Sequence, residues 1–219
     1  MSEDPSSPIR QSYDRIAEEY ARRIFDELQH KPLDRQLLDR FAAQVRPGGR
    51  VCDMGCGPGH IARYLHEAGC PCFGLDLSPE TLKQARRLSP DLEFCEGNMF
   101  ALNLADHTLA GIAALYAIVN IAKEELPLVF SEMVRVLEPG GLLLLAFHSG
   151  EEALHESELW GYAIDMDFFF FRPVEIHALL ERAGFVVEEI VERDPYPEVE
   201  YPSHRAYVFA RKTLGPRSD

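Results

Sequence analysis

The chain has 219 residues, 46% of them hydrophobic and 26% charged, which excludes collagen-like, disordered and disulfide-scaffold classes. Its formal net charge of −14 argues against nucleic acid as a partner, because such binding rests on Lys and Arg neutralising phosphates. The longest uncharged apolar-rich stretch, Thr108 to Ala122, is shorter than the roughly 18–20 residues a membrane-spanning helix needs.

The N-terminus is acidic and polar, with no basic segment leading into an apolar one, so a cytoplasmic location is expected. The five cysteines, Cys52, Cys56, Cys70, Cys72 and Cys95, are odd in number and lack repeated C-x-x-C spacing. They read as buried small hydrophobes, with neither a disulfide framework nor a metal site expected.

Residues 1–8, with Pro5 and Pro8 among serines, read as a disordered tail. Apolar positions at Ile9, Tyr13, Ile16, Ala17, Tyr20, Ile24 and Leu28 predict one helix from Ile9 to about His30, stopped by Pro32. A second helix is expected from Leu33 to Val45. Short apolar runs then alternate with amphipathic helices. Strands are expected at Arg50–Met54, Cys72–Leu75, Leu92–Cys95, Leu109–Leu115 and Leu142–Phe147. Helices are expected at His60–Glu67, Pro79–Leu88 (capped by Ser78) and Lys123–Leu137. The near-continuous apolar character of these strands implies a parallel sheet covered on both faces.

Residues 149–172 interrupt the alternation. Tyr162, Ile164, Met166, Phe168 and Phe170 share one face at period two, with Asp165 and Asp167 on the other, which predicts an extra strand or extended cover. A helix at Pro173–Ala183 follows. Strands at Phe185–Arg193 and Arg205–Arg211, joined by a proline-rich linker, are expected to pair antiparallel.

The chemistry concentrates where the first strand turns into a helix, at Asp53-Met54-Gly55-Cys56-Gly57-Pro58-Gly59-His60. Glycines there let a ligand approach the backbone closely. Asp76 ends the next strand, 21 residues after Gly55, where a carboxylate can accept both hydroxyls of a ribose. Together they predict a site for an adenosine-containing cofactor. The dinucleotide fingerprint G-x-G-x-x-G is not met, because His60 stands at its third glycine and Pro58 removes an N–H.

These motifs resemble those of class I S-adenosylmethionine-dependent methyltransferases, in the branch that acts on small molecules. Val51–His60 resembles their first motif, Gly74-Leu75-Asp76-Leu77-Ser78-Pro79 their second, Phe94–Phe100 the adenine-contacting motif, and Leu137–Gly141 the turn before their fifth strand. Tyr13–Tyr20 resembles their N-terminal helix. The resemblance implies a Rossmann-like three-layer α/β sandwich with a mostly parallel seven-stranded sheet and an antiparallel last strand. It implies a single domain: a helical lid over 9–46, a cofactor-binding core over 47–148, a substrate-side insertion over 149–172, and a C-terminal helix and strand pair over 173–212.

It also implies S-adenosyl-L-methionine as cofactor and S-adenosyl-L-homocysteine as product. Asp53 and the backbone of Gly55, Cys56 and Gly57 would hold the methionine end. Asp76 would take the ribose, Leu77 would lie against the adenine, and Asn98 and Met99 would contact it. Ala114 would lie under the methionyl chain, and Tyr13 and Tyr20 would close over the cofactor. Asn98 departs from the family's usual Asp, and Val119-Asn120 from its frequent His pair. On the substrate side Tyr116, Asn120 and His148 are the catalytic candidates, with His148 either a general base titrating near 6.5 or a strand-end histidine. His155 and Trp160 are candidate pocket residues. The implied acceptor is a small molecule, apolar or aromatic in character, and the chain a monomer or homodimer. A non-catalytic S-adenosylmethionine-binding protein is the alternative.

Overall fold

The computed structural model describes residues 7–214. Most of the expected disordered tail, residues 1–6, lies outside that range, whereas Ser7 and Pro8 open the first helix. Helix α1 spans Ser7–Ile24 and α2 spans Pro32–Gln44, with a 3₁₀ turn at Glu27–His30 between them. The single helix expected to run to His30 is thus broken. Lys31 precedes a proline and leaves the helical region (φ −119°, ψ 75°), because the proline ring disfavours the α conformation at the residue before it.

The alternating segment gives β1 Val51–Met54, α3 His60–Glu67, β2 Cys72–Asp76, α4 Pro79–Leu88, β3 Glu93–Glu96 and β4 Leu109–Leu115. Then come α5 Leu126–Val136, β5 Leu137–Ser149, a hairpin of β6 Ala153–Leu159 and β7 Tyr162–Phe169, α6 Pro173–Ala183, β8 Phe185–Arg193 and β9 His204–Lys212. Helix α5 begins three residues later than its apolar pattern suggests, because Pro127 is tolerated only in a first turn. Strand β5 begins five residues early. Leu137 pairs with Leu109 and Leu142 with Gly111, so residues 138–141 bulge out of the ladder opposite Ala110.

Seven strands form one sheet in the order β3-β2-β1-β4-β5-β9-β8, with β9 antiparallel to both neighbours. One face packs Val129, Phe130 and Met133 of α5 and Ile176 and Leu180 of α6 against the sheet. The other packs Leu37 and Phe41 of α2, Ile61 and Leu65 of α3 and Leu82 of α4. That double cover explains why Leu142–Phe147 are all buried. Strand order reverses between β1 and β4, and ligands of such sheets sit outside the carboxyl ends at that switch point.

The insertion is a two-stranded antiparallel hairpin apart from the main sheet. Trp160 and Gly161, both at positive φ (55° and 85°), form the two-residue loop joining Leu159 to its partner Tyr162. Ile164 and Met166 face inward against Ile16 of α1, while Asp165 and Asp167 are exposed. Phe169 N–H donates to the Val119 carbonyl at 2.7 Å, tying the hairpin to the loop after β4. No helix among the described residues is long and apolar enough to cross a membrane.

Candidate cofactor and acceptor site

Two adjoining cavities open at the carboxyl edge of the sheet. The smaller, ≈ 100 Å³, is bounded by α1, the glycine loop and the ends of β2, β3 and β4; it collects Tyr13, Tyr20, Asp76, Leu77, Asn98 and Met99. The larger, ≈ 890 Å³, lies on the other side of Gly55 and is walled by the 3₁₀ turn, the start of α3, His148, the hairpin tip and the linker before β9. Tyr20, Gly55, Leu115 and Tyr116 line both.

The glycine loop is held by its own amides. Gly55 and Cys56 N–H both donate to the Leu75 carbonyl (2.7 and 3.0 Å), and Gly57 N–H donates to Asp76 Oδ2 at 2.8 Å. Glycine is needed at 55 and 57, where φ is +72° and +53°. A Cβ would lie 2.6 Å from the Ala117 Cβ at the first and 2.9 Å from the Tyr20 ring at the second. The Cys56 thiol is buried, and a Cβ on Gly74 would meet it at 2.7 Å.

Asp76 Oδ1 also accepts from Ser78 N–H at 2.9 Å. Burial pushes its carboxyl above the usual range, against the hydrogen bonds from Ser78 and Gly57. Each carboxylate oxygen has a second lone pair, so two amide donors leave acceptor capacity for two hydroxyls. Asn98 Oδ1 accepts from Phe100 N–H at 3.0 Å, which fixes the amide at the cleft rim.

Asp53 has a different local task from the one expected. Its buried Oδ2 accepts from Ala62 N–H at 2.8 Å and thereby caps the first turn of α3. Burial raises its carboxyl to about 7, against the Ala62 hydrogen bond and the nearby His60. It still lines the larger cavity, below Gly55. Ala114 does not reach either cavity. It is fully buried in the core with Ile112 and Ile118, and Leu115, Tyr116 and Ala117 present the strand end to the cleft instead. The inside-outside alternation of a strand accounts for the difference.

The three catalytic candidates do not form one cluster. Asn120 lines the smaller cleft, where its Oδ1 accepts from the Tyr13 hydroxyl (2.9 Å) and its Nδ2 donates to the Asp167 carbonyl (2.7 Å). His148 lines the larger cavity, its Nδ1 2.7 Å from Ser203 Oγ. Its ring lies among those of Tyr116, Phe170 and Tyr201. Burial, with Arg205 and Lys31 nearby, lowers its titration from the unperturbed 6.5 to about 4. Tyr116, at φ +56°, separates the cavities, and its hydroxyl meets that of Tyr207 at 3.1 Å.

Of the insertion residues, Trp160 enters the larger cavity, stacked on Tyr20 with Arg23 over its face. His155 faces outward, paired with Asp167 at 2.9 Å.

A buried charge network beneath the larger cavity is absent from the sequence reading. Glu200 accepts from Arg193 (2.6 Å) and lies 3.2 Å from both Lys31 Nζ and Arg205 Nε. Arg193 also pairs with Asp34 at 2.9 Å, and Tyr207 donates to Asp34 Oδ1 at 2.9 Å. Burial works against the Glu200 carboxylate, but the Arg193 and Tyr196 donors and the two other cations hold it at about 2. Lys31 and Asp34, at the start of α2, meet Arg193, Glu200, Arg205 and Tyr207 from the last two strands and their linker, more than 150 positions away, and no local spacing marks that pairing. The only available signal is that Arg193 and Arg205 flank a proline-rich linker carrying three acids (Asp194, Glu198, Glu200).

Comparisons with known proteins fit this geometry. A family model described as a methyltransferase domain matches residues 51–141. The chain is similar to a malonyl-[acyl-carrier protein] O-methyltransferase of Enterobacter lignolyticus, 30% identical over 60% of this chain and 53% of that one. It is also similar to a 2-phytyl-1,4-naphtoquinone methyltransferase of Thermosynechococcus vestitus, 28% identical over 81% of this chain and 90% of that one. The chain spans about half the length of several other curated relatives, 57% and 41% in two cases. Among solved structures, magnesium protoporphyrin IX methyltransferase from Synechocystis, determined with bound S-adenosylmethionine, superposes with a TM-score of 0.71 at 17% identity, covering 96% of this chain and 98% of that one. Sheet order, glycine loop, strand-end acid and the matched domain model agree: the chain has the fold and the motifs of the class I S-adenosylmethionine-dependent methyltransferases.

Proposed function

We propose that the protein transfers a methyl group from S-adenosylmethionine to a small-molecule acceptor. The observation that carries this reading is Asp76, hydrogen-bonded under the glycine loop at the sheet's switch point, in one cleft with Leu77, Asn98, Met99 and Tyr13. These residues fit the cofactor's nucleoside. Asp76 keeps acceptor capacity for the ribose, the Asn98 side chain offers the amide chemistry an adenine edge needs, and Gly55 and Gly57 leave room for close approach. When bound, the cofactor supplies an electrophilic methyl whose bond to sulfur breaks with the electron pair staying on sulfur.

The chain's own contribution is position and field. The acceptor occupies the larger cavity, on the opposite side of Gly55 and Tyr116 from the nucleoside. Tyr20, Trp160 and Tyr201 give it aromatic walls, and Lys31, Glu200 and Arg205 a charged floor. That lining suits an acceptor with an aromatic or apolar body and one polar group. Small organic acceptors also appear in the names of the naphthoquinone and porphyrin relatives. His148 is neutral at physiological pH and serves as a hydrogen-bonding partner of the acceptor, with alignment supplying most of the acceleration. The test is calorimetric titration with S-adenosylmethionine and NAD, followed by mass spectrometry of an acceptor panel with isotope-labelled cofactor. Binding of NAD in preference to S-adenosylmethionine would refute the reading, and cofactor binding without label transfer to any acceptor would favour a non-catalytic binder.

A further inference from the structure

Beneath the larger cavity, His148 stands opposite Arg205 in the β5–β9 register and Arg205 opposite Arg193 in the β8–β9 register. The three side chains therefore share one face of the sheet. Their hydrogen bonds are unevenly distributed. Arg193 is fully engaged, donating to Glu200, Asp34, Tyr207 and the Asp194 carbonyl. Arg205 is not. Its Nη1 donates to the Ser203 carbonyl and, at 3.1 Å, to Ser203 Oγ. Its Nε is buried without a hydrogen-bond partner, since Glu200 Oε1, 3.2 Å away, is not aligned with the N–H. Its Nη2 has no partner among the described residues. Nε and Nη2 form an edge of the guanidinium that pairs a carboxylate through two parallel bonds. Arg205 is only 3% exposed and yet lines the cavity.

His148 adds a second donor. Its Nδ1 lies 2.7 Å from Ser203 Oγ, an oxygen that already accepts from Arg205. Among the described residues, Nδ1 is the one acceptor within reach of the Ser203 hydroxyl proton. The ring, neutral above about 4, therefore accepts at Nδ1 and carries its own proton on Nε2. No described residue pairs with Nε2. The acids around the cavity are committed elsewhere. Glu200 accepts from Arg193 and from Tyr196 N–H (2.9 Å), Glu27 pairs with Lys31 and His60, Glu198 is exposed, and Asp53 caps α3. The wall thus offers N–H donors with no acceptor, one set of them cationic. Buried donors left unmet are costly, and a negatively charged oxygen meets them best.

We propose that the larger cavity binds an organic monoanion whose carboxylate docks on Arg205 and on the Nε2–H of His148, with its apolar body against Tyr20, Trp160 and Tyr201. This rests on the reading of that cavity as the acceptor site and names the acceptor's chemical class. Ser203 is a positioning residue, because its hydroxyl decides which ring nitrogen of His148 donates. The chain's net charge of −14 repels anions at long range, so the selection of one carboxylate comes from local pairing and favours a single charge over a polyanion.

The experiment is calorimetry of the full chain saturated with S-adenosylhomocysteine, with naphthoate and the neutral naphthamide as probes, joined to heteronuclear NMR of the His148 ring nitrogens. The parent is expected to bind naphthoate about tenfold or more tightly than naphthamide, as charge-assisted hydrogen bonds imply. Arg205→Met should bring the two affinities within about twofold of each other and keep naphthamide binding within about twofold of the parent, which also shows that the variant is folded. The His148 proton should sit on Nε2, whose resonance moves with naphthoate and not with naphthamide, and Ser203→Ala should mix the two tautomers. A parent that binds naphthoate no better than naphthamide, or binds neither, overturns the proposal. So does a His148 ring protonated on Nδ1, or an Arg205→Met variant that keeps the preference. If Arg205→Met does not fold, the parent's preference and the His148 resonances decide. Binding of S-adenosylhomocysteine without any preference for the anion leaves the methyltransferase reading standing, whereas failure to bind S-adenosylhomocysteine removes both.

Discussion

The Tyr13 hydroxyl donates to Asn120 Oδ1 at 2.9 Å, and the same amide donates to the Asp167 carbonyl at 2.7 Å. One side chain after β4 thus joins α1 and the hairpin. Ser12 reinforces the join through Asp165 N–H (3.0 Å), and Arg15 through the Ala163 carbonyl (2.5 Å). The cleft beneath holds only ≈ 100 Å³, well below the 300 Å³ or more typical of ligand pockets. On this proposal α1 and the hairpin are expected to lift together when the cofactor enters. Asn120→Ala should raise amide hydrogen exchange in residues 7–24 and 162–169 in parallel and weaken cofactor binding by about 0.5–1.5 kcal/mol. Exchange that rises in only one of the two segments would show that they open independently.

Asp76→Ala removes the proposed acceptor for two ribose hydroxyls and also frees Gly57 N–H and Ser78 N–H. Cofactor affinity should fall by about 1.5–3 kcal/mol per lost hydrogen bond at most. Calorimetry in which the variant matches the parent would remove Asp76 from the site.

The low titration of His148 sets the pH behaviour. With its imidazole neutral above about 4, turnover should show no rise attributable to this group between pH 6 and 8. A rate increase near pH 6.5 that disappears in His148→Gln would mean the ring is exposed during turnover. The stability effect has a definite sign. The folded value lies below the unfolded value near 6.5, so the unfolded chain takes up the proton first, and this group's contribution is lost as pH falls from about 6.5 to about 4. Urea unfolding of the parent should lose stability relative to His148→Gln across that window.

Asp53 acts in the opposite direction. Its folded value of about 7 lies above the unfolded carboxylate value, so its contribution is complete in acid and is lost as pH rises from about 4 to about 7. Asp53→Asn keeps an oxygen for the Ala62 N–H and carries no charge. Its stability relative to the parent should rise with pH through that window. A constant difference from pH 4 to pH 8 would contradict a carboxyl buried against its own ionisation.

Tyr207→Phe tests the network beneath the larger cavity. The hydroxyl donates to Asp34, accepts from Arg193 and meets Tyr116. Its removal leaves Asp34 short of a donor in a buried setting and should cost about 1–3 kcal/mol by urea unfolding. A variant as stable as the parent would mean that Arg193 alone satisfies Asp34.

The core of the fold was legible because each feature there is local. The glycine loop, the cap at Ser78, the apolar run of β5 and the glycine after α6 announce themselves within a few residues. The place of Asp76 beside the loop was legible too, since it depends on a fixed spacing from the glycines. What the sequence hid depends on side-chain direction or on distant partners. Ala114 and Leu115 are adjacent, and nothing in composition tells which of them faces the cleft. Strand β6 carries four polar or charged residues in seven and shows no apolar face of its own, because the hairpin buries only one side of β7 against α1. Trp160 at a positive φ does not read as a turn residue, yet it occupies the hairpin loop. The Glu200 and Asp34 contacts bring together residues more than 150 positions apart, beyond any local pattern.

Tyr116 forms part of the wall of both cavities, held at a positive φ with its hydroxyl anchored on Tyr207. A partition shared in this way gives the two proposed sites a physical route by which one ligand can act on the other. If the nucleoside side shifts the ring, the acceptor side feels the shift, and reciprocity requires the acceptor to change cofactor affinity by the same factor. The order in which the two ligands arrive is then a matter of rates, while the size of their mutual effect is a single number that either titration can measure.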